Sequence, residues 1–178
     1  VPNRLCIIGA GVIGLEFASV FRSFGSEVTV VEYMKECLPP YDTDISRRVR
    51  KAMEKRGVKF VMQAGVTGIS QTDSQLQVNY ECKGKPGAVT ADAVLVATGR
   101  AANIEGIGIE AAGIKTERGS ITVDDNMQTS VPGIYAIGDV NGHCMLAHAA
   151  IMQGMRCVNH IAGRADNISL EIMPSAVF

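Results

Sequence analysis

Short unbroken apolar runs alternate with stretches in which apolar residues return every three or four positions, and this alternation governs the first sixty residues. The run at residues 4–8, RLCII, stops at glycines, and Ile13, Phe17, Val20, Phe21 and Phe24 then recur at helical spacing up to Gly25. A second run at residues 27–31, EVTVV, carries Glu32 at its C-terminal end. Leu38-Pro39-Pro40 cannot continue a helix and marks a loop. Beyond it Asp42 or Thr43 is placed to cap a helix with Ile45, Val49, Ala52 and Met53 on one face and Gly57 as its stop. A third run, VKFVM at residues 58–62, completes strand, helix, strand, helix, strand. Buried strands separated by amphipathic helices are the pattern of a parallel sheet, so the expected class is α/β.

From residue 66 to residue 90 the period shortens to two, as in Leu76, Val78 and Tyr80, with turn residues at 83–87. Such alternation predicts an antiparallel meander inserted before the next buried strand, AVLVA at residues 93–97. The chain is then irregular and glycine-rich to Gly119. Further strands are expected at residues 121–123 and 133–137, and a helix at 146–161 running into Gly163. Residues 164–178 show no periodicity that encloses a core and read as a severed connection to something else.

Composition narrows the class of partner. Hydrophobic residues make up 47% and charged residues 20%, as in a globular protein, and 17 basic against 18 acidic residues leave a net charge of -1. No broad electrostatic attraction to nucleic acid or to an anionic membrane follows, so neither is an expected partner. No apolar run approaches the length of a bilayer span, and the opening residues VPNRLC lack the charged and apolar regions of a signal peptide, which together give a cytoplasmic expectation. The five cysteines, Cys6, Cys37, Cys82, Cys144 and Cys157, have no close pairing and no CxxC or HxxxH spacing, so free thiols and no metal site are expected.

The candidate chemistry begins at Gly9-Ala10-Gly11-Val12-Ile13-Gly14, a GxGxxG loop between the first strand and the first helix. In a Rossmann-like sheet the first glycine makes the tight turn, the second lets a pyrophosphate approach the backbone, and the third lets helix and strand pack closely. The helix N-terminus then meets the phosphate charge with its N–H groups and dipole. Glu32, eighteen residues past Gly14, ends the second strand, where a carboxylate accepts the hydroxyls of an adenosine ribose. A 2′-phosphate would meet that carboxylate as a like charge, so NAD is expected over NADP. Glu16 sits in the second turn of an otherwise apolar helix, either on an exposed stripe or held for a charged partner.

A second acid raises a second cofactor. Ala97-Thr98-Gly99-Arg100 after a buried strand, and TSVPGIYAIGDV at residues 129–140 followed by Met145-Leu146-Ala147-His148, resemble the downstream motifs of the flavin-dependent pyridine nucleotide disulfide oxidoreductases. The resemblance spans the whole chain and is strongest to the members that oxidise a dihydrolipoyl dithiol. It implies that Asp139 hydrogen-bonds the ribityl chain of FAD and that Met145, Leu146, Ala147 and His148 bring backbone N–H groups toward the flavin, His148 having no catalytic role. It also implies that Glu16 pairs with a lysine beside the flavin that this chain does not contain, that Val66 contacts adenine and that Gly99 contacts the ribose. Val66 reads equally as a buried hydrophobe and Gly99 as a turn glycine. The implied NAD set is therefore Gly9, Ala10, Gly11, Val12, Ile13, Gly14, Leu15, Glu16, Glu32, Val66 and Gly99. The basic residues 47–51 read as a solvated surface.

Members of that family open with another GxGxxG domain and a redox-active CxxxxC, and end in a dimerisation domain carrying the catalytic His and Glu. No cysteine pair here has that spacing, so no catalytic residue is expected in this chain and the chain alone is expected to be inactive. The implied organisation is a Rossmann-like NAD-binding domain at residues 1–115, a central segment at 116–163 that completes an FAD domain in a longer parent, and the start of a connection to the dimerisation domain at 164–178. The parent is expected to be a homodimer, within a 2-oxo acid dehydrogenase or glycine cleavage complex. Competing expectations are a transhydrogenase, a mercuric or a coenzyme A disulfide reductase of the same family, and a stand-alone NAD-binding module without turnover, which would have a self-contained core and a tail that folds back.

Overall fold

Leu5 and Ile7 of strand β1 (Arg4–Ile8) are buried in one apolar cluster, and Cys6 and Ile8 in another. A strand apolar on both faces belongs in the middle of a covered sheet. In this computed structural model, which describes residues 1–72 and 74–177, β1 is the inner strand of a parallel sheet ordered β3-β2-β1-β7. Its neighbours are β2 (Glu27–Glu32) and β7 (Ala93–Val96), and β3 (Lys59–Met62) lies beyond β2. Helices α1 (Val12–Ser23) and α2 (Thr43–Lys55) connect β1 to β2 and β2 to β3. They contribute Leu15, Ala18 and Met53 to the first cluster.

The meander forms as the alternation indicates. Strands β4 (Ala64–Thr72), β5 (Gln75–Cys82) and β6 (Lys85–Ala91) pair antiparallel, and Val78 and Ala91 join Cys6, Ile8 and Val31 in the second cluster. The turn is tighter than the stretch 83–87 predicts, because Lys83 and Gly84 alone take positive φ, 53° and 75°, and Lys85 already belongs to β6. Two consecutive left-handed residues match the twist of a hairpin. All of these elements lie in a unit made of Val1–Gly99 with Val177.

A second unit, Arg100–Ala176, has its own small core of Ile109, Ile121 and Ala136. Residues 100–115, read from sequence with the first domain, fall in this second unit. It contains a hairpin of β8 (Thr116–Glu117) with β9 (Ser120–Ile121), and helix α3 (Ala147–Ile161). Two predicted strands are not formed as strands. Of residues 121–123 only Ile121 is in β9, and Val123 makes an isolated bridge to Thr129. Within 133–137 only Tyr135 is bridged, to Gln128, and Ile134 and Ile137 are exposed. Ile137 is extended (φ -119°, ψ 157°), so the backbone has strand geometry but no ladder alongside it among the described residues.

Two helices correct the expected faces. In α1 the small residues Gly14 and Ala18, with Leu15, face the sheet, while Ile13, Phe17, Val20 and Phe24 stay exposed. In α2, capped by the Asp42 carboxylate accepting the Asp44 N–H, Ser46 and Met53 are buried but Ile45 and Ala52 are exposed. The last residues, although without regular structure, are not loose. Asp166 accepts from Arg156 and from Asn159 of α3, and Arg156 also donates to the Ile168 carbonyl. Burial pushes the Asp166 carboxyl up, but the Ile168 N–H, Arg156 and Asn159 outweigh it and hold the group below the usual carboxylate range.

Candidate functional site

The order β3-β2-β1-β7 makes the chain leave β1 toward β2 on one side and find β7 on the other, so the C-terminal ends of β1 and β7 form a topological switch point. The glycine loop lies there. Gly9 has φ +104°, and a Cβ on it would come within 2.4 Å of the Ala97 carbonyl oxygen at the end of β7. A Cβ on Gly14 would lie 2.1 Å from the Gly9 carbonyl oxygen. Gly11 differs from both, since a Cβ there would meet nothing within 4 Å. Packing therefore requires glycine at two positions and leaves space at the third.

Hydrogen bonds stitch the loop to β2. The Gly9 N–H donates to the Val31 carbonyl (2.9 Å), the Ala10 N–H to Glu32 Oε2 (2.6 Å), and the Leu38 N–H to the Ala10 carbonyl (2.9 Å). The other oxygen of Glu32, Oε1, accepts from the Met34 N–H at 2.6 Å. Glu32 is 7% exposed, yet each carboxylate oxygen carries a further lone-pair direction beyond these two bonds. Helix α1 has Gly11 as its N-cap, with no side-chain cap and no acid in its first turn, so its positive end carries no carboxylate of its own helix.

The other expected NAD positions differ in access. The side chains of Ala10 and Leu15 are in the core, 0% and 2% exposed, so only their backbones can meet a ligand. Val12 and Glu16 are partly buried, and Ile13 is 40% exposed. Val66 packs its side chain against the second cluster, and Gly99 is exposed with φ +126° after β7.

A cleft of about 660 Å³ lies beside Glu32, lined by Met34, Lys35, Glu36, Tyr41, Arg47 and Arg50 among others. Here the reading of residues 47–51 as solvated surface holds for Arg47, Arg48 and Lys51 and needs correction at Arg50. Arg50 turns inward and forms a bidentate pair with Glu36, Nε to Oε1 at 2.7 Å and Nη2 to Oε2 at 3.1 Å. That hydrogen bonding holds the Glu36 carboxyl below its ordinary range. Cys37, next to Glu36 and nearly inaccessible, has its thiol pushed up to about 11 by burial and then by the Glu36 charge. A smaller concavity, about 370 Å³ at the far end of α1, is lined by Arg22 and Arg56. Arg22 is spent there on the carbonyls of Arg56 and Ser26, so that concavity fastens helix ends and does not adjoin the loop.

The second set of expected residues lies in the second unit. Gly138 and Asp139 open a short 3-10 turn, Gly138–Asn141, and the Asp139 side chain is 48% exposed with a loose ion pair to Arg100 at 3.9 Å. Two buried amides hold the turn. Gln153 Oε1 accepts from the Gly138 N–H (2.7 Å) and from Asn141 Nδ2 (2.9 Å), and Asn141 Nδ2 also donates to the Ala136 carbonyl. Sequence reasoning missed this pair, although a polar Gln153 between Ala149 and Cys157 on the buried stripe of α3 was its signal. Met145 and Leu146 are partly buried, and Ala147 and His148 are exposed at the uncapped start of α3. His148 Nε2 lies 2.8 Å from the Pro174 carbonyl oxygen.

A glycine loop at a switch point with a buried acid ending β2 has the form of a dinucleotide-binding site. Residues 1–154 match the pattern of the pyridine nucleotide-disulphide oxidoreductases, and the chain belongs to that family, which uses a flavin and a pyridine nucleotide. Its relatives include the dihydrolipoyl dehydrogenase of Corynebacterium glutamicum, 42% identical over 99% of this chain and 39% of that protein. The dihydrolipoyl dehydrogenase of Rhizobium etli is 45% identical over 91% of this chain and 34% of its own length. Among solved structures, LpdA from Mycobacterium tuberculosis superposes with a TM-score of 0.86 at 32% identity, covering 94% of this chain and 36% of that one. The HOCl-induced flavoprotein disulfide reductase RclA from Escherichia coli gives 0.84 at 33% identity, over 94% and 38%. The chain thus spans between about a third and two-fifths of the relatives it matches.

Proposed function

We propose that this chain is the NAD-binding portion, with a partial FAD-contacting segment, of a flavoprotein that oxidises a dihydrolipoyl dithiol and reduces NAD. The observation that carries the reading is Glu32: a buried carboxylate at the end of β2, bonded to the loop N–H of Ala10, beside a Gly11 whose side-chain space is open. These residues fit an adenosine diphosphate. The Gly11 backbone leaves room for the pyrophosphate, the start of α1 faces its charge, and Glu32 has acceptor capacity left for ribose hydroxyls. Glu16, Val66 and Gly99 complete the NAD set, and Asp139 with residues 145–148 forms the flavin set.

The two cofactors, when bound, supply the hydride chemistry. The work of this chain is to hold them: the loop fixes the phosphates, Glu32 selects the unphosphorylated ribose, and the Gln153–Asn141 pair keeps Asp139 at the surface. The dihydrolipoyl substrate follows the names of the dihydrolipoyl dehydrogenase relatives, and a homodimeric parent within a 2-oxo acid dehydrogenase or glycine cleavage complex and a cytoplasmic site of action belong to the same proposal. The chain itself holds no dithiol of the required spacing and is inactive in this reading. Purified chain tested for flavin absorbance and diaphorase turnover is the experiment: a colourless, inactive preparation that binds NADH agrees, and a yellow or active one refutes the assignment.

A further inference from the structure

Glu36 lies four residues beyond the ribose acid, on the wall of the 660 Å³ cleft that also includes Met34, whose N–H is bonded to Glu32. In dinucleotide-binding sheets the residues after this acid border the ribose 2′ position, and a nearby arginine is what accommodates a 2′-phosphate. This cleft has the arginines. Arg50 and Arg47 both line it, but Arg50 is closed onto Glu36 in a fork and reaches Glu54 with Nη1 at 2.8 Å. Arg47 Nε faces Glu36 Oε2 at 4.0 Å. Glu36 also accepts from the Cys37 N–H at 3.1 Å, and its side chain is only 17% exposed, so its place is fixed from three sides.

We propose that Glu36 is a second determinant of dinucleotide choice, holding Arg47 and Arg50 so that neither receives a 2′-phosphate beside Glu32. The proposal rests on the reading of the loop as an NAD site. Glu32 acts by repelling the phosphate, whereas Glu36 acts by neutralising the cations that would attract it. Guanidinium forks bind carboxylate and phosphate with the same geometry, so the carboxylate competes directly for the donors a phosphate would use. A purely structural ion pair would anchor α2 without altering the choice between dinucleotides.

The test is titration of NADH and of NADPH into the 178-residue chain carrying Glu36→Gln, followed by fluorescence. The dissociation constant for NADH stays within about twofold, NADPH tightens by about tenfold, and the gain is lost when Arg47→Gln and Arg50→Gln are added to Glu36→Gln. Glu36→Asp, which keeps the charge, retains the wild-type preference. Unchanged NADPH affinity in a folded Glu36→Gln chain that still binds NADH overturns the proposal and leaves the NAD reading standing. Failure of the wild-type chain to bind NADH overturns both. If Glu36→Gln lacks the folded circular dichroism spectrum, Arg47→Gln on the exposed rim takes its place. A held Arg47 receives no 2′-phosphate, so NADPH affinity stays within about twofold of wild type there, and a weakening of about threefold or more overturns the proposal.

Discussion

Three glycines of one loop do different physical work, and substitution separates them. Gly14 is pressed against the Gly9 carbonyl, so Gly14→Ala must push α1 off β1, and we expect a loss of about 1 to 3 kcal/mol in denaturant unfolding from overpacking. Gly11 has open space and ordinary φ (-74°), so Gly11→Val should leave the circular dichroism spectrum intact and abolish NADH binding by filling the phosphate position. Unchanged NADH affinity would reduce the loop to a turn. The GxGxxG spacing revealed all three positions, and Glu32 followed from its distance to them. Glu36 and Arg50 were not legible, because a charge fourteen residues away on the next helix pairs through the fold and not through periodicity.

At the level of elements, β1, β2, β3, α1 and α2 were legible because a strand covered on both faces must be apolar throughout, and the helices between them must alternate. What that reasoning could not give was which helical stripe packs: Gly14 and Ala18 let α1 approach the sheet, so its larger Ile13, Phe17 and Val20 turn outward. The 133–137 segment failed for a related reason, since apolar residues with extended backbone read as a strand whether or not a neighbour pairs with them. Helix α2 supplies a pH prediction. Glu36 is held below its ordinary value by Arg50, so the stabilisation is complete above the usual glutamate range and is lost as pH falls through the lowered folded value. Thermal melts of wild type and Glu36→Gln should differ at neutral pH by the equivalent of about 1 to 2 kcal/mol and converge in acid. A gap that persisted into strong acid would mean the pair contributes through packing alone.

For the whole molecule, the two candidate sets are unequally complete. The NAD set occupies residues 9–99 of a unit with its own core, whereas the flavin set consists of Asp139 and residues 145–148. We expect the purified chain to retain no FAD, since each lost ~1.4 kcal/mol of contact is a tenfold loss of affinity for so large a ligand. The Cys6 thiol is pushed up to about 11 by burial, and Cys37 likewise, which keeps both protonated near neutrality. The ties that hold the start of the tail to α3, Arg156 to Asp166 and Ile168, were not legible, because they join side chains and backbone that no periodicity marks. The most direct test of the central claim is calorimetric titration of NADH and NADPH into the wild-type chain and Glu32→Ala. NADH should bind the wild type more tightly than NADPH and lose about 1 to 3 kcal/mol in Glu32→Ala, where ribose hydroxyls are left poorly paired. A wild-type preference for NADPH, or NADH affinity indifferent to Glu32, would contradict it.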